Sequence, residues 1–442
     1  MTKLAQTTAN ADAVLKEYYL TPIREQLNQR CILMFAADDD QEGNYSSSGA
    51  EGRGYDMDWR GFTRESEGVQ FAGREWVLPV HMARNEGLGA VPEGGNLPTA
   101  GQQGWTDLKD RLHHNLGSIR LSRYAIKLSE RQPGVFLRLL EAETKGMVLD
   151  IRKDINRQGY GSQVGTLAQV TAGGTNVVTV DSVQYLRVNM VIDIVLNASP
   201  WTNLASARTI TAINPATKVV TYGGASVAAA AGYMLTRAGS VTNEINGLGN
   251  MIANAAGPGP VAQVLHGVDP SAAANSWWNS VVVDSAGNPF SEDQGQQVVD
   301  RVGQSGQAEV ELILTTRGIR RRYVNTLKSQ KRFNDSDAVT LRGGFKAILF
   351  NDMPMVFDDD CPKGNMWLLN ADAMMWIYLD AGQDGKGGWN WVDDDGAILA
   401  RAVDRTDNFD AYLAADHDFG TVGRNRLGKI INLQDDAAGV WS

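Results

Sequence analysis

The sequence predicts an α+β fold with a small all-β domain inserted into it, and three observations carry that expectation. Two strand-like segments between Val69 and Leu128 flank a Gly/Pro-rich tip that has no core residues of its own. A long amphipathic helix follows. Beyond Gly159 the composition changes, and short strands separated by turns take over until helical periodicity returns near Val241. The resulting order of helix, ribbon, helix, inserted β, α/β and β is not an alternation of βαβ units.

Taken in order, Ala9–Phe35 reads as a helix from the spacing of Val14, Tyr18, Leu20, Ile23 and Leu27, with Pro22 expected to kink or break it. Ala36–Glu67 is polar, acidic and rich in Gly and Ser, the composition of an extended arm. In the ribbon, Trp76, Leu78, Val80 and Met82 alternate with other residues, as in a strand with one apolar face. On the return arm Ile119 and Leu121 alternate with Ser118, Arg120 and Ser122, and Gly117, where the phase slips, predicts a bulge. Between the arms, Arg84–Trp105 holds Gly87, Gly89, Gly94, Gly95, Gly101 and Gly104 with Pro92 and Pro98. About fifteen extended residues per arm would reach about 50 Å. A compact chain of this length has a radius of gyration of only about 22 Å. A two-stranded ribbon is marginal in water and exposes its edges, so this one needs a neighbour.

Pro133 suits the first turn of the long helix, whose stripe is Phe136, Leu140, Met147, Ile151 and Ile155. Ala142 and Gly146 on a neighbouring row invite close approach by another element. From Val135 to Gln158 this helix would be about 36 Å long, the spine of the molecule. Gln163–Ser240 contains only six charged residues (Asp181, Arg187, Asp193, Arg208, Lys218, Arg237). Strand signals recur there at Val177–Val180, Met190–Val195, Thr209–Ile213, Val219–Tyr222 and Tyr233–Thr236, a spacing that predicts a small barrel or sandwich. Helical periodicity returns over Val241–Ala253. A helix is expected after Ser291 with Val298, Val299 and Val302 inward, then a strand Val310–Leu314, then a helix bearing Ile319, Tyr323 and Leu327. From Leu341 the chain reads mostly as strand, ending in Ile430–Leu433 and a polar tail.

The 442 residues are enough for two or three domains, and 43% hydrophobic with 21% charged residues is ordinary for a globular protein. No apolar run approaches the length of a membrane span, and Met1–Leu20 lacks the pattern of a signal peptide, so no membrane partner is expected. Cys31 and Cys361 stand far apart without metal spacing, which predicts reduced thiols. A net charge of −10 argues against a dedicated nucleic-acid binder. It suits a protein that stays soluble at high copy number or tolerates DNA nearby without sticking to it.

Motifs for catalysis and metal binding do not assemble. The triplets Asp38–Asp40, Asp358–Asp360 and Asp393–Asp395 lack the alternate ligands, central Gly and closing Glu of a calcium loop, and read as turn decoration. The five histidines, His81, His113, His114, His266 and His417, show no HExxH or other metal spacing. On a strand, His113 and His114 point to opposite faces, so one of them is solvated. Gly303–Gly306 lacks the nucleophile-elbow spacing, Gly382–Gly387 lacks the P-loop spacing and its Ser/Thr, and the prolines after Gly257 do not suit a dinucleotide loop. The expectation is therefore no enzyme, with no catalytic, metal or cofactor-binding residue assigned. The basic run Arg317, Arg320, Arg321, Arg322, Lys328, Lys331, Arg332 reads as a helix surface paired with acids in preference to a phosphate site.

Several stretches carry a family resemblance. HMARNEGLGAVPEGGNLPTAGQQGW (His81–Trp105) resembles the extended loop of tailed-bacteriophage major capsid proteins, particularly those of phages infecting actinobacteria. LLEAETKGMVLDIRKDINRQ (Leu139–Gln158) resembles their spine helix. GVDPSAAANSWWNSVV (Gly267–Val282), LRGGFKAILFNDMPMVFDDDCPKGNMWLLN (Leu341–Asn370) and Asp407–Leu433 are similar to further stretches of the same proteins. The resemblance implies a Hong Kong 97-type capsid fold. It places an N-terminal arm at 1–67, the extended loop at 68–128 and the spine helix of a peripheral domain at 129–162. An inserted β-barrel-like domain falls at 163–240, an axial domain at 241–334, and the peripheral sheet with the C-terminal strands at 335–442.

The function so implied is self-assembly, through pentamers and hexamers, into the icosahedral head of a tailed phage, enclosing double-stranded DNA without reading its sequence. Scaffolding, portal and decoration proteins are the expected partners, and the virion the expected location. Arg84, Glu86, Pro92, Glu93 and Trp105 at the loop tip are the candidate intersubunit contacts. Some relatives cross-link through a loop lysine and a neighbour's asparagine, but no lysine occurs here between Lys16 and Lys109, so no covalent chainmail is expected. Two alternatives stay open: an encapsulin-like compartment around a protein cargo, and a glycan-binding surface protein acting through the inserted β-domain.

Overall fold

In the computed structural model the described residues are 70–72, 74–131, 139–197, 201–253, 264–329, 338–341, 345–379, 389–392, 400–401 and 406–435. The expected helix Ala9–Phe35, the arm Ala36–Glu67, Pro133 and Phe136, and the triplets Asp38–Asp40 and Asp393–Asp395 lie outside them.

Alternation makes the ribbon. Glu75–Ala83 pairs antiparallel with Gly104–Arg111, and Gln70–Ala72 adds a third strand on the other edge of Glu75–Ala83. Trp76 and Leu108 are fully buried at the root, Leu78 and Val80 pack partly against the same core, and Met82 is 36% exposed. One apolar row therefore leaves the core step by step as the ribbon projects. Its nine-residue outgoing strand spans about 30 Å at about 3.3 Å per residue, short of the expected reach. The return arm is not a single strand. It breaks at Leu112, and His113–Ser122 joins a different sheet, paired with Asn408–Thr421 from His113↔His417 to Ser122↔Asn408.

Gly117 lies inside that ladder with no register shift, so the expected bulge is absent there. Its glycine has another cause: a Cβ would stand 2.5 Å from Ile151 Cδ1 and 2.9 Å from Met147 Sδ of the spine helix. The register instead slips between His81 and Ala83. Gly146, expected to admit a neighbour, has open space where its Cβ would be. The spine helix runs Leu139–Tyr160. An unanticipated helix, Arg123–Arg131, precedes it, with Ser122 Oγ accepting from Ala125 N at 3.2 Å, so residue 128 is not an element boundary.

The long strand Asn408–Thr421 organises a five-stranded sheet. One edge carries His113–Ser122, and the other carries Met374–Tyr378, Trp389–Val392 and Ala400–Arg401 in succession. A seven-stranded sheet has the order Val281–Asp284, Gly428–Ile431, Met366–Leu369, Leu312–Thr315, Met353–Phe357, Phe345–Phe350, Ala338–Leu341. Strands from both sides of residue 334 alternate within it, so that position does not separate two sheets. Helices Glu292–Gly306 and Arg317–Ser329 cover one face, where Val298, Val302, Ile319, Tyr323 and Leu327 meet Ile313, Met355, Leu368 and Ile430. Ser291 caps the first helix by accepting from Gln294 N at 3.2 Å. Leu312, Leu314, Val356, Trp367 and Leu369 face the opposite way, into the core that holds Trp76, Tyr160, Leu248 and Trp278. Buried on both faces, the central strands read as unbroken apolar runs.

Thr166–Arg237 forms a closed barrel, in the order Met234–Arg237, Thr166–Ala172, Val177–Val180, Val219–Tyr222, Asn203–Asn214, Val191–Val195 and back to the first. Val170, Val178, Val180, Ile192, Ile194, Ile210, Val220 and Leu235 fill its interior. The strand Thr166–Ala172 was not among those the sequence signals mark. Over Val241–Ala253 only one helical turn forms, Leu248–Met251, because Asn246 and Asn250 turn inward to buried polar partners.

Candidate assembly interface

At the ribbon tip, Asn85 ties the two arms together: Nδ2 donates to Gly101 O at 3.0 Å, and Oδ1 accepts from Gly87 N at 2.7 Å. A turn follows in which Gly95 N donates to Pro92 O at 2.9 Å and Gly94 takes φ +76°. Arg84 Nε donates to Glu86 at 2.8 Å, and that hydrogen bond and charge hold the Glu86 carboxyl below its ordinary range. Arg84 and Glu86 thus pair with each other inside their own loop. Pro92 and Glu93 are exposed at the turn. Trp105 is 65% exposed, its ring 4.9 Å from that of its cross-strand partner His81, on the face opposite Trp76. The loop also presents Leu88 and Leu97, 81% and 87% exposed. Neither belongs to a strand or helix period, although a large apolar residue in a Gly/Pro loop without a core is itself a sequence signal for an interaction surface.

The ribbon root is polar and buried. Asn246 Nδ2 donates to Asp110 Oδ2 at 3.0 Å and Asp418 Oδ2 at 3.1 Å, bringing two carboxylates from different strands together. Trp76 Nε1 approaches Asp418 Oδ2 at 3.4 Å. His266 Nδ1 lies 3.0 Å from Asp110 Oδ2, and its Nε2 accepts from Thr421 N at 3.2 Å. His113 Nδ1 is 3.3 Å from Asp418 Oδ1, with Nε2 2.9 Å from Gln163 Nε2. Burial opposes charge on Asp110, but the hydrogen bond and charge of His266 outweigh it and lower its pKa. Burial likewise opposes charge on His113, yet Asp418 wins and raises it. His417, stacked on Trp376 at 4.7 Å, is pushed down to about 3 by burial and by His113. His114, the adjacent residue, is on the exposed side with Asp416, as strand alternation requires.

A second polar hub ties the barrel to the spine. Asp358 accepts from Asn156 Nδ2 at 3.2 Å and Tyr160 Oη at 3.1 Å, while Asp360 accepts from Lys153 Nζ at 2.7 Å, Asn156 Nδ2 at 2.6 Å and the barrel's Tyr185 Oη at 3.2 Å. Burial and the neighbouring Asp358 push Asp360 up in spite of Lys153. Asp359 takes a two-pronged bond from Arg317, and its carbonyl accepts from barrel Gln184 at 2.7 Å. Arg157 grips Glu244 through two nitrogens and also Asp154, which in turn accepts from Arg237 at the end of the barrel. The triplet read as turn decoration therefore joins three elements. Along the basic run, Arg317 pairs with Asp359, Arg320 lies 5.1 Å over the Phe357 ring, and Arg322 donates to Gln434. No group of three metal-ligating side chains forms among the described residues.

No family model and no curated protein matches the chain. Among solved structures it is similar to a chain of the cyanophage A-1(L) capsid asymmetric unit, with a TM-score of 0.51 at 12% identity, covering 82% of this chain and 89% of that one. That likeness shows a shared fold. A chain of Microbacterium phage Oxtober96 is similar at a TM-score of 0.41 and 9% identity over 98% and 96% of the two chains. A chain of the holo encapsulin complex of Synechococcus elongatus reaches 0.42 at 9% identity over 81% and 82%.

Proposed function

We propose that this chain is the major capsid protein of a tailed double-stranded DNA phage, with a Hong Kong 97-type fold, and that many copies assemble into its icosahedral head. The observation that carries this reading is the ribbon tip, which presents Leu88, Leu97 and Trp105 to solvent on a loop with no core of its own, in a chain sharing its fold with a capsid subunit. In a closed shell each tip lies over a neighbour, and the exposed apolar surface and strand edges are covered. Obligate interfaces of this kind bury about 2,000–5,000 Å². The arm 1–67 reaches under another subunit. The extended loop and the spine helix belong with the five-stranded sheet to the peripheral domain. The seven-stranded sheet with its two covering helices is the axial domain, converging at pentamer and hexamer centres. The barrel within 163–240 is an insertion on the outer surface, where its sparse charge keeps it away from packaged DNA. Arg84, Glu86, Pro92, Glu93 and Trp105 make intersubunit contacts together with Leu88 and Leu97. Scaffolding, portal and decoration proteins complete the head, and the chain performs no catalysis.

Nuclease treatment of particles purified from a producing host tests this reading. Protected double-stranded DNA is the expected result. Particles that hold protein cargo and no DNA would overturn it in favour of a compartment shell.

A further inference from the structure

Helix Arg317–Ser329 carries five cations, Arg317, Arg320, Arg321, Arg322 and Lys328, and no acid. Ile319, Tyr323 and Leu327 face the seven-stranded sheet, while Arg317 and Arg321 stand exposed one turn apart on the outer side. Helical spacing puts Lys328 on the same row, about 16 Å along the axis from Arg317. Arg317 and Arg320 crowd one ring, 4.6 and 5.1 Å from the centre of Phe357. The first turn holds no acid, so these cations oppose the helix dipole and do not serve the helix itself. Asp359 offsets one of them through its two-pronged bond with Arg317, and the row as a whole stays basic.

The same chain holds the complementary charge. Ala36–Glu67, outside the described residues, contains nine acidic and three basic residues. Asp38, Asp39, Asp40 and Glu42 stand together in it, with no Lys or Arg anywhere from Cys31 to Gly52. Extended, Asp38–Glu42 spans about 13 Å, close to the length of the basic row. The first described residue, Gln70, lies 32 positions beyond Asp38. An extended chain of that length reaches up to about 100 Å, well past the edge of one subunit.

We propose that the outer face of helix Arg317–Ser329 is the docking site of the acidic arm segment Asp38–Glu42, whose carboxylates meet the row of Arg317, Arg321 and Lys328. The copy that supplies the arm rests on the shell reading, in which a neighbour's arm passes beneath the subunit. The competing anion is the phosphate of duplex DNA. A chain with a net charge of −10 repels it, whereas one acidic arm is present for every basic helix.

Zero-length cross-linking of the full chain with a water-soluble carbodiimide tests this, read by peptide mass spectrometry, with light scattering on the same samples. Amide links should join Asp38, Asp39, Asp40 or Glu42 to Lys328, and their yield should fall as salt rises from about 0.05 M to about 0.5 M. Arg321→Glu should lower that yield by about fivefold or more. Arg321→Glu combined with Asp39→Arg should restore it, with Asp40 and Glu42 still supplying carboxylates. Circular dichroism checks that the variants fold, and Arg321→Gln, which removes the charge without reversing it, replaces a reversal that does not. Arm carboxylates that link to other lysines in preference to Lys328, or a yield indifferent to salt and to Arg321, would overturn the docking site. Wild type that binds an added DNA duplex through Arg321 while its arm links stay unchanged would overturn it in favour of nucleic acid. Links that form as expected in a chain that never scatters as an assembly would instead refute the shell reading and leave the docking site standing for the chain's own arm.

Discussion

Trp76 and Trp105 stand on opposite faces of one ribbon, and their burial separates their roles. Trp76→Ala removes a fully buried indole and should cost about 3–5 kcal/mol in urea denaturation. Trp105→Ala should change subunit stability by no more than about 0.5 kcal/mol, because its ring is mostly in solvent, yet sedimentation should show assembly weakened or lost. Equal losses of stability in the two variants would contradict the division. Gly117→Ala tests a residue the sequence marks but for the wrong reason. It is visible as a glycine in a strand, while the Met147 and Ile151 side chains that exclude a Cβ come from another element. The substitution should cost about 1–3 kcal/mol through overpacking. The same limit hid the part played by Asp358–Asp360: three adjacent aspartates read as a turn, and their donors Lys153, Asn156, Tyr160 and Tyr185 stand some two hundred residues away.

At the level of elements, periodicity was legible wherever one face packs on one neighbour. Val298 and Val302 on one helix and Ile319, Tyr323 and Leu327 on the next are buried as their spacing requires. Thr166–Ala172 escaped because its inward residues include Ala168, which carries little hydrophobic contrast, and the barrel closes only with it. Val241–Ala253 misled because Ile245, Leu248 and Ile252 share a helical spacing, yet only Leu248 lies in the single turn Leu248–Met251, the segment around it being held by Asn246 and Asn250. The barrel has its own core, so residues 163–240 expressed alone should give a cooperative β-type unfolding transition. Its excision from the full chain should lower the melting temperature of the remainder, since Asp360 loses Tyr185 and Asp154 loses Arg237. A remainder as stable as the intact protein would show that the hub contributes nothing. Deleting Gly87–Gly104 should leave the subunit folded by circular dichroism and abolish closed particles, because the segment holds almost no core and carries the proposed intersubunit contacts.

For the whole molecule, the order of ribbon, spine, β-rich block and closing strands is readable in the sequence along the described residues. The division into sheets is not. Val281–Asp284 pairs in parallel with Gly428–Ile431, and Leu312–Thr315 pairs with Met353–Phe357, across separations that no local pattern encodes. Between Glu17 and Leu108 the chain has no lysine, and Lys109 lies on the ribbon behind the tip, so the proposed shell is expected to be held by buried apolar area and backbone pairing. Mature particles boiled in denaturant should therefore run on a reducing gel as a single band near 48.0 kDa, and a ladder of linked subunits would contradict that. The central claim is that this subunit is incomplete alone. Electron microscopy of the purified full-length chain tests it most directly: closed icosahedral shells with each ribbon tip lying on a neighbouring subunit are predicted, whereas a natively folded monomer that persists at every accessible concentration would contradict the account.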